Sequence, residues 1–180
     1  MQQSLVQDKQ RVPFTCLATE NKYELQHAVN ESVIVKLKGT IDRIDEKDGI
    51  VHLYDYKTSK IDKNAGNGAF TVEKISQLFE LDTYNKHRNE SLQLMFYRFI
   101  TQPIFSHKNG IACHIYKVRK VFEEEFNATT QVVHLEGWED VFTERLNALI
   151  SDILNPQIPF RQTTCTDNCT HCKFKDICGR

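Results

Sequence analysis

Gly39-Thr40-Ile41-Asp42-Arg43-Ile44-Asp45 and, shortly after it, Asp55-Tyr56-Lys57-Thr58 read as the two arms of one β-hairpin, and that hairpin decides the fold. The first arm runs from Val33 to about Asp45, the chain turns through Glu46-Lys47-Asp48-Gly49, and Ile50 to Lys57 returns. Asp48-Gly49 is the strongest short hairpin signal, because a type I′ turn needs positive φ at both central residues. With a two-residue loop Lys47 pairs with Ile50, and counting outward sets Asp42 opposite Asp55. Directly opposed residues have Cβ atoms roughly 4.5–5.5 Å apart. Two carboxylates held that close repel unless a cation lies between them or one is protonated, so the register argues for a divalent ion. Strand alternation puts Asp55 and Lys57 on one face and Tyr56 on the other.

Hard oxygen ligands of this kind suit Mg²⁺ or Mn²⁺. Such an ion lowers the pKa of a bound water and offsets charge on a scissile phosphate, and a nearby ammonium orients that water or stabilises developing charge. Taken singly, charges alternating with apolar residues describe any half-solvated strand. The combination of spacing and residue types carries the weight.

A third element, Gln93-Leu94-Met95-Phe96-Tyr97, follows in order. With it the chain resembles the RecB-like branch of the PD-(D/E)xK nucleases, the domain found in RecB, AddA and AddB. The resemblance implies a restriction-endonuclease-like α/β core and DNA phosphodiester hydrolysis with Mg²⁺ or Mn²⁺. It also implies DNA as partner, with a helicase region or subunit of the same complex, as in the nuclease module of a helicase-linked repair protein. Carried over, Asp42 and Asp55 are metal ligands, Lys57 is the catalytic lysine, and Gln93 and Tyr97 line the site from a helix near the DNA strand. Arg43 and Asp45 belong to the motif and support it. The family's module usually opens with an upstream helix that often adds a His or Glu ligand, and only a short stretch precedes Gly39 here. Glu20 is the upstream acid nominated for that ligand, with His27 as the alternative. His27 lies in Tyr23 to Val29, which alternates as a strand, and is expected to face solvent. The chain thus reads as a fragment from the C-terminal end of a larger protein. The alternative reading is a noncatalytic DNA-binding or scaffold module that keeps the fold with an incomplete metal site.

A chain of 180 residues, 40% of them hydrophobic, buries one core and has no room for a helicase motor. Residues 1–160 are expected to form the nuclease core and 161–180 a cysteine-rich tail of the same domain. The net charge of −1 lacks the basic surplus of a nonspecific duplex binder. Local patches remain at Lys57, Lys60 and Lys63 and at Lys117, Arg119 and Lys120. The N-terminus lacks the charged start and apolar core of a signal peptide, and no apolar run approaches the roughly 20 residues that span a bilayer. A cytoplasmic protein with no membrane partner is expected. In a reducing compartment its cysteines point to metal binding ahead of disulfides.

The rest of the chain alternates between α and β. Ser59 to Phe70 reads as a loop, and Glu73 to Tyr84 has helical spacing through Ile75, Leu78 and Leu81. A helix starts at Asn89 as N-cap and runs through Ile100, stopping before Pro103, with Gln93 and Tyr97 on one face. Gly110 to Phe122 alternates as a strand with Cys113 an inert core thiol, and Glu123-Glu124-Glu125 is a solvated turn. Trp138 to Leu154 is an amphipathic helix with Trp138, Val141, Phe142, Leu149, Ile150 and Ile153 along one side. The order predicts a mixed β-sheet flanked by helices.

Four of the six cysteines crowd the tail as Cys165-x3-Cys169-x2-Cys172-x5-Cys178. AddB-like nucleases carry a similar C-terminal Cys-x2-Cys-x5-Cys that holds a [4Fe-4S] cluster with a fourth, upstream cysteine, so the resemblance assigns Cys169, Cys172 and Cys178 to a cluster. The fourth ligand stays open between Cys165 and Cys16, and His171 with the thiolates makes a Zn²⁺ site the alternative. Thiolates are too soft for Mg²⁺.

Overall fold

The computed structural model describes residues 8–58, 72–80, 88–118, 129–131, 137–159, 161–170 and 172–180, and the statements below concern those residues. Strand β1 (Thr15–Ala28) and strand β2 (Ile34–Lys47) form a long antiparallel pair, and β2 turns back into β3 (Ile50–Lys57). Asp48 and Gly49 make that turn with φ of 52° and 78°, the left-handed pair that a type I′ turn requires. Lys47 faces Ile50, as the two-residue loop predicts. Next come helix α1 (Val72–Gln77), helix α2 (Arg88–Thr101), β4 (Gly110–Lys117), β5 (Thr129–Gln131) and helix α3 (Trp138–Leu154). The five strands stand in sequence order in one sheet, antiparallel throughout except for the parallel β3–β4 pair. A parallel neighbour demands a crossover, and α1 and α2 lie in it.

Helix α2 is the middle layer. On one side its Leu94, Tyr97 and Ile100 pack on Ile41, Ile44, Val51, Leu53, Ile111 and Ile115 of the sheet. On the other, Met95 joins Ile75 of α1, Leu78 in the turn after it, and Trp138, Phe142 and Leu146 of α3. A helix apolar on two sides is held from both, at about 1.5–3 kcal/mol for each fully buried large side chain. Cys113 is buried in the first of these clusters, and burial pushes its thiol up to about 12, so it is unreactive as expected.

Several boundaries and faces differ from the sequence reading. Helix α2 begins at Arg88, so Asn89 lies inside it and does not cap it. The buried stripe of α3 is Trp138, Phe142 and Leu146, at a strict four-residue spacing. Its last turn lies beyond that stripe, which leaves Ile153 66% exposed. His27 does not face open solvent: it is half-buried, 2.6 Å from Asn147 Oδ1 and edge-on to the Phe99 ring. Its β1 position was legible, but the helices that cover it come from more than seventy residues away. The helix expected to run to Tyr84 ends at Gln77, with Leu78 and Phe79 in a turn, and the strand expected to run to Phe122 ends at Lys117. The expected loop at Ser59 to Phe70, the stretch Leu81 to Tyr84, the turn at Glu123 to Glu125 and Phe122 itself lie outside the described residues. Lys60, Lys63, Arg119 and Lys120 lie outside them too.

Candidate active site

A polar chain links β3 to α2. Asp55 and Lys57 stand two apart on β3, hence on one face, and the Lys57 ammonium lies 2.7 Å from Asp55 Oδ2. The same Nζ donates to Gln93 Oε1 at 2.8 Å, and Gln93 Nε2 donates to the Tyr97 hydroxyl at 2.7 Å. Gln93 and Tyr97 are four apart on α2 and so face the strand together. Gly39 lets the helix come this close: a Cβ built there would stand 2.8 Å from Ile100 Cδ1 and 3.0 Å from Tyr97 Cε1. The first residue of the Gly-x-x-Asp element is therefore a clearance for the ring two motifs later.

Asp42 enters from β2. The ladder runs in the expected register from Lys47–Ile50 to Arg43–Tyr54, which puts Asp42 and Asp55 next in line. The rung between them is replaced by a side-chain bond, in which Tyr56 N–H donates to Asp42 Oδ2 at 2.6 Å. The alternation of β2 also breaks here. Ile41 and Ile44, three apart, are both fully buried in the same core cluster, so one of the three steps between them does not change face. Irregularities of this kind re-aim side chains beside active sites. Across from Asp42, between the pairs Thr19–Arg43 and Asn21–Ile41, sits Glu20, exposed and with φ of 48°.

Burial raises the proton affinity of Asp55; Lys57 opposes this, while the charges of Asp42 and Glu90 add to it. Burial likewise raises Tyr97, its bond to Gln93 lowers it, and Asp55 and Asp42 raise it again. Glu90 is the residue that the sequence reading missed. It lies three before Gln93 on α2, and its Oε2 is buried with no hydrogen-bond partner among the described residues. The i, i+3 spacing to Gln93 was the available signal. Asp55 beside the Lys57 ammonium, with Asp42 and Glu90 acting on Asp55, makes a hard-oxygen, negatively unbalanced set that suits a divalent cation. Among the described residues no three His, Cys, Asp or Glu side chains close on a single point to hold an ion directly.

Arg43 and Asp45 belong to a separate ion-pair network. Asp45 is fully buried between Arg43 Nε at 2.8 Å and Arg11 at 3.3 Å. Arg43 also pairs with Asp8 at 2.9 Å, and both guanidiniums lie over the rings of Phe14 and Tyr54. Burial works against the Arg43 charge, yet Asp8, Asp45 and Tyr56 outweigh it and hold its pKa above the ordinary value. Beside this cluster His52 Nδ1 and His114 Nε2 stand 2.8 Å apart, with His114 stacked on Tyr54.

The tail cysteines Cys165, Cys169, Cys172 and Cys178 are free and half-buried, with Thr166–Cys169 as a 3-10 turn. Phe174 N–H donates to Cys172 Sγ at 3.4 Å. Their thiols do not converge on one point in this arrangement, and His171 lies outside the described residues. Phe174 and Ile177, the tail's large apolar residues, are 65% and 85% exposed.

No helix among the described residues is long and apolar enough to cross a membrane. Comparison with curated proteins gave no match. The family profile described as the PD-(D/E)XK nuclease superfamily matches residues 2–179, nearly the whole length over which the hairpin, α2 and the tail are laid out, and the chain belongs to that superfamily of nucleases.

Proposed function

We propose that this domain hydrolyses DNA phosphodiester bonds with one or two Mg²⁺ or Mn²⁺ ions, as the RecB-like branch does. The observation that carries the reading is the Asp55–Lys57–Gln93–Tyr97 chain standing beside Asp42. Asp42 and Asp55 hold the ion, which supplies an activated water and offsets phosphate charge. The bond from Tyr56 N–H fixes the Asp42 carboxylate before any ligand arrives. Lys57, held between Asp55 and Gln93, presents a positioned ammonium to the attacking water or to the charge that develops on the phosphate. Tyr97 fixes which way round the Gln93 amide lies, so Gln93 offers Lys57 an oxygen.

The order of the three motifs supports a RecB-like module that works beside a helicase region, with residues 1–160 as nuclease core. Titration with Mn²⁺ tests the site: parent protein binds the ion and cuts DNA, and both properties require Asp42 and Asp55. Binding of DNA without Mn²⁺ affinity or cleavage would favour the noncatalytic scaffold reading instead.

We infer a second site in the tail, where Cys165, Cys169, Cys172 and Cys178 take a [4Fe-4S] cluster or Zn²⁺. Support comes from their spacing, from the N–H already aimed at Cys172 Sγ, and from the shortage of buried apolar surface to order residues 161–180. Protein purified without oxygen then contains iron with sulfide, or zinc, near one site per chain. Metal-free protein with an equally protease-resistant tail would refute it.

A further inference from the structure

We infer that Glu90 is the third carboxylate of the divalent-ion site, acting as a positioning residue that accepts hydrogen bonds from water bound to the ion. The inference rests on the proposed function and deepens it. Its first support is an orphan: Glu90 Oε2 is shut off from solvent, yet no described group donates to it. A buried carboxylate oxygen without a donor is costly and calls for a missing partner. The second support is placement. Glu90, Gln93 and Tyr97 fall at i, i+3 and i+7 of α2, the face on which Gln93 holds Lys57, and the Glu90 charge reaches Asp55 across the helix–strand gap.

Charge balance points the same way. Asp42, Asp55 and Glu90 bring three negative charges, Lys57 one positive, and the excess of two equals one divalent cation. The three carboxylates do not meet at one point, so Glu90 is not placed as a direct ligand. Mg²⁺ keeps several of its waters when a protein supplies one or two carboxylates, and those waters are strong donors with room to reach a third. The orphaned oxygen and the helix face are both explained by that one arrangement.

The test is Mn²⁺ affinity of the DNA-free protein, read from the electron paramagnetic resonance of free Mn²⁺, for parent, Glu90→Gln, Glu90→Asp and Asp55→Ala. Outer-shell partners typically contribute 10–100-fold to metal affinity. Glu90→Gln is expected to raise the Mn²⁺ Kd at least about tenfold while the metal-free protein melts no lower than the parent, since a buried like charge has been removed. Glu90→Asp, which keeps the charge, recovers part of the affinity. A Glu90→Gln Kd within about twofold of the parent, with Asp55→Ala abolishing binding, would overturn the role of Glu90 and leave the proposed site standing. Retention of Mn²⁺ by Asp55→Ala would instead sink the proposed site itself.

Discussion

Replacing Gly39 with alanine probes the joint between strand and helix directly. The added Cβ would meet Ile100 Cδ1 at 2.8 Å and the Tyr97 ring at 3.0 and 3.2 Å, whereas carbon atoms rest at about 3.5–4.0 Å. Something must retreat by roughly 0.5–1 Å. The Ile100 terminus is flexible in principle, but that side chain is 1% exposed, so it cannot swing out into solvent. The Tyr97 ring is rigid, and its hydroxyl is tied to Gln93. Overpacking of this kind costs about 1–3 kcal/mol. Because the displaced helix face also carries Gln93, the 2.8 Å bond to Lys57 lengthens by a similar amount, toward the limit at which a hydrogen bond is lost. Urea unfolding followed by circular dichroism should therefore show a loss of about 1–3 kcal/mol at unchanged m-value. DNA cleavage by the folded fraction should fall as well. Stability within about 0.5 kcal/mol of the parent, with full cleavage, would show that α2 does not depend on this clearance and would refute the reasoning.

Asp55→Ala should abolish Mn²⁺-dependent cleavage with the fold intact, because relief of repulsion from Asp42 and Glu90 offsets the lost ion pair to Lys57, which keeps its bond to Gln93; parent-level activity at matched metal and protein would contradict its assignment. Lys57→Ala should lower turnover far more than Mn²⁺ affinity, since an ammonium is no ligand; equal losses in both would argue against a role on water or phosphate. His114 should make the fold acid-sensitive. Burial, with His52 and Arg11 nearby, pushes its pKa from 6.5 down to about 3. Stability is then complete above pH 6.5 and is lost as the pH falls from there toward 3, by about 3 kcal/mol at pH 4. Guanidinium melts at pH 7 and pH 4 should show that extra loss in the parent and not in His114→Gln, and parallel losses would dismiss it.

The hairpin was legible because its information is local: Asp48-Gly49 names the turn, and the turn sets the register out to Arg43–Tyr54. Helical spacing put Gln93 and Tyr97 on one face, but it was the family resemblance and their place after the hairpin that singled them out; Trp138–Leu154 was legible through its apolar period. What escaped depends on partners distant in sequence. No pattern announces that the alternation of β2 fails between Ile41 and Ile44, where the Asp42 carboxylate takes the Tyr56 amide from the neighbouring strand. Glu90 looked like any acid in a first helical turn until the strand beside it was in place. His27 lay on the expected strand, and only the packing of Phe99 and Asn147 shows what covers it. The tail thiols have a metal spacing in sequence, but spacing does not fold a loop around a point.

The ion-pair network around Asp45 bears on how this domain can be cut. A wholly buried carboxylate there is balanced by Arg43 from its own strand and Arg11 from the segment before β1. Lys47 adds a second tie by donating to Arg11 O at 2.8 Å. A shortened version that begins at β1 keeps every motif residue, yet strips Asp8 and Arg11 from the strand that carries Asp42. Asp45 keeps Arg43 at 2.8 Å, so the loss is smaller than the cost of leaving a buried charge wholly unpaired, but it falls on a carboxylate with no exposure to water. A version that begins at β1 is therefore expected to be less stable than one that begins before Asp8, because the strand that carries Asp42 is braced by Asp8 and Arg11, which lie outside the three sequence elements.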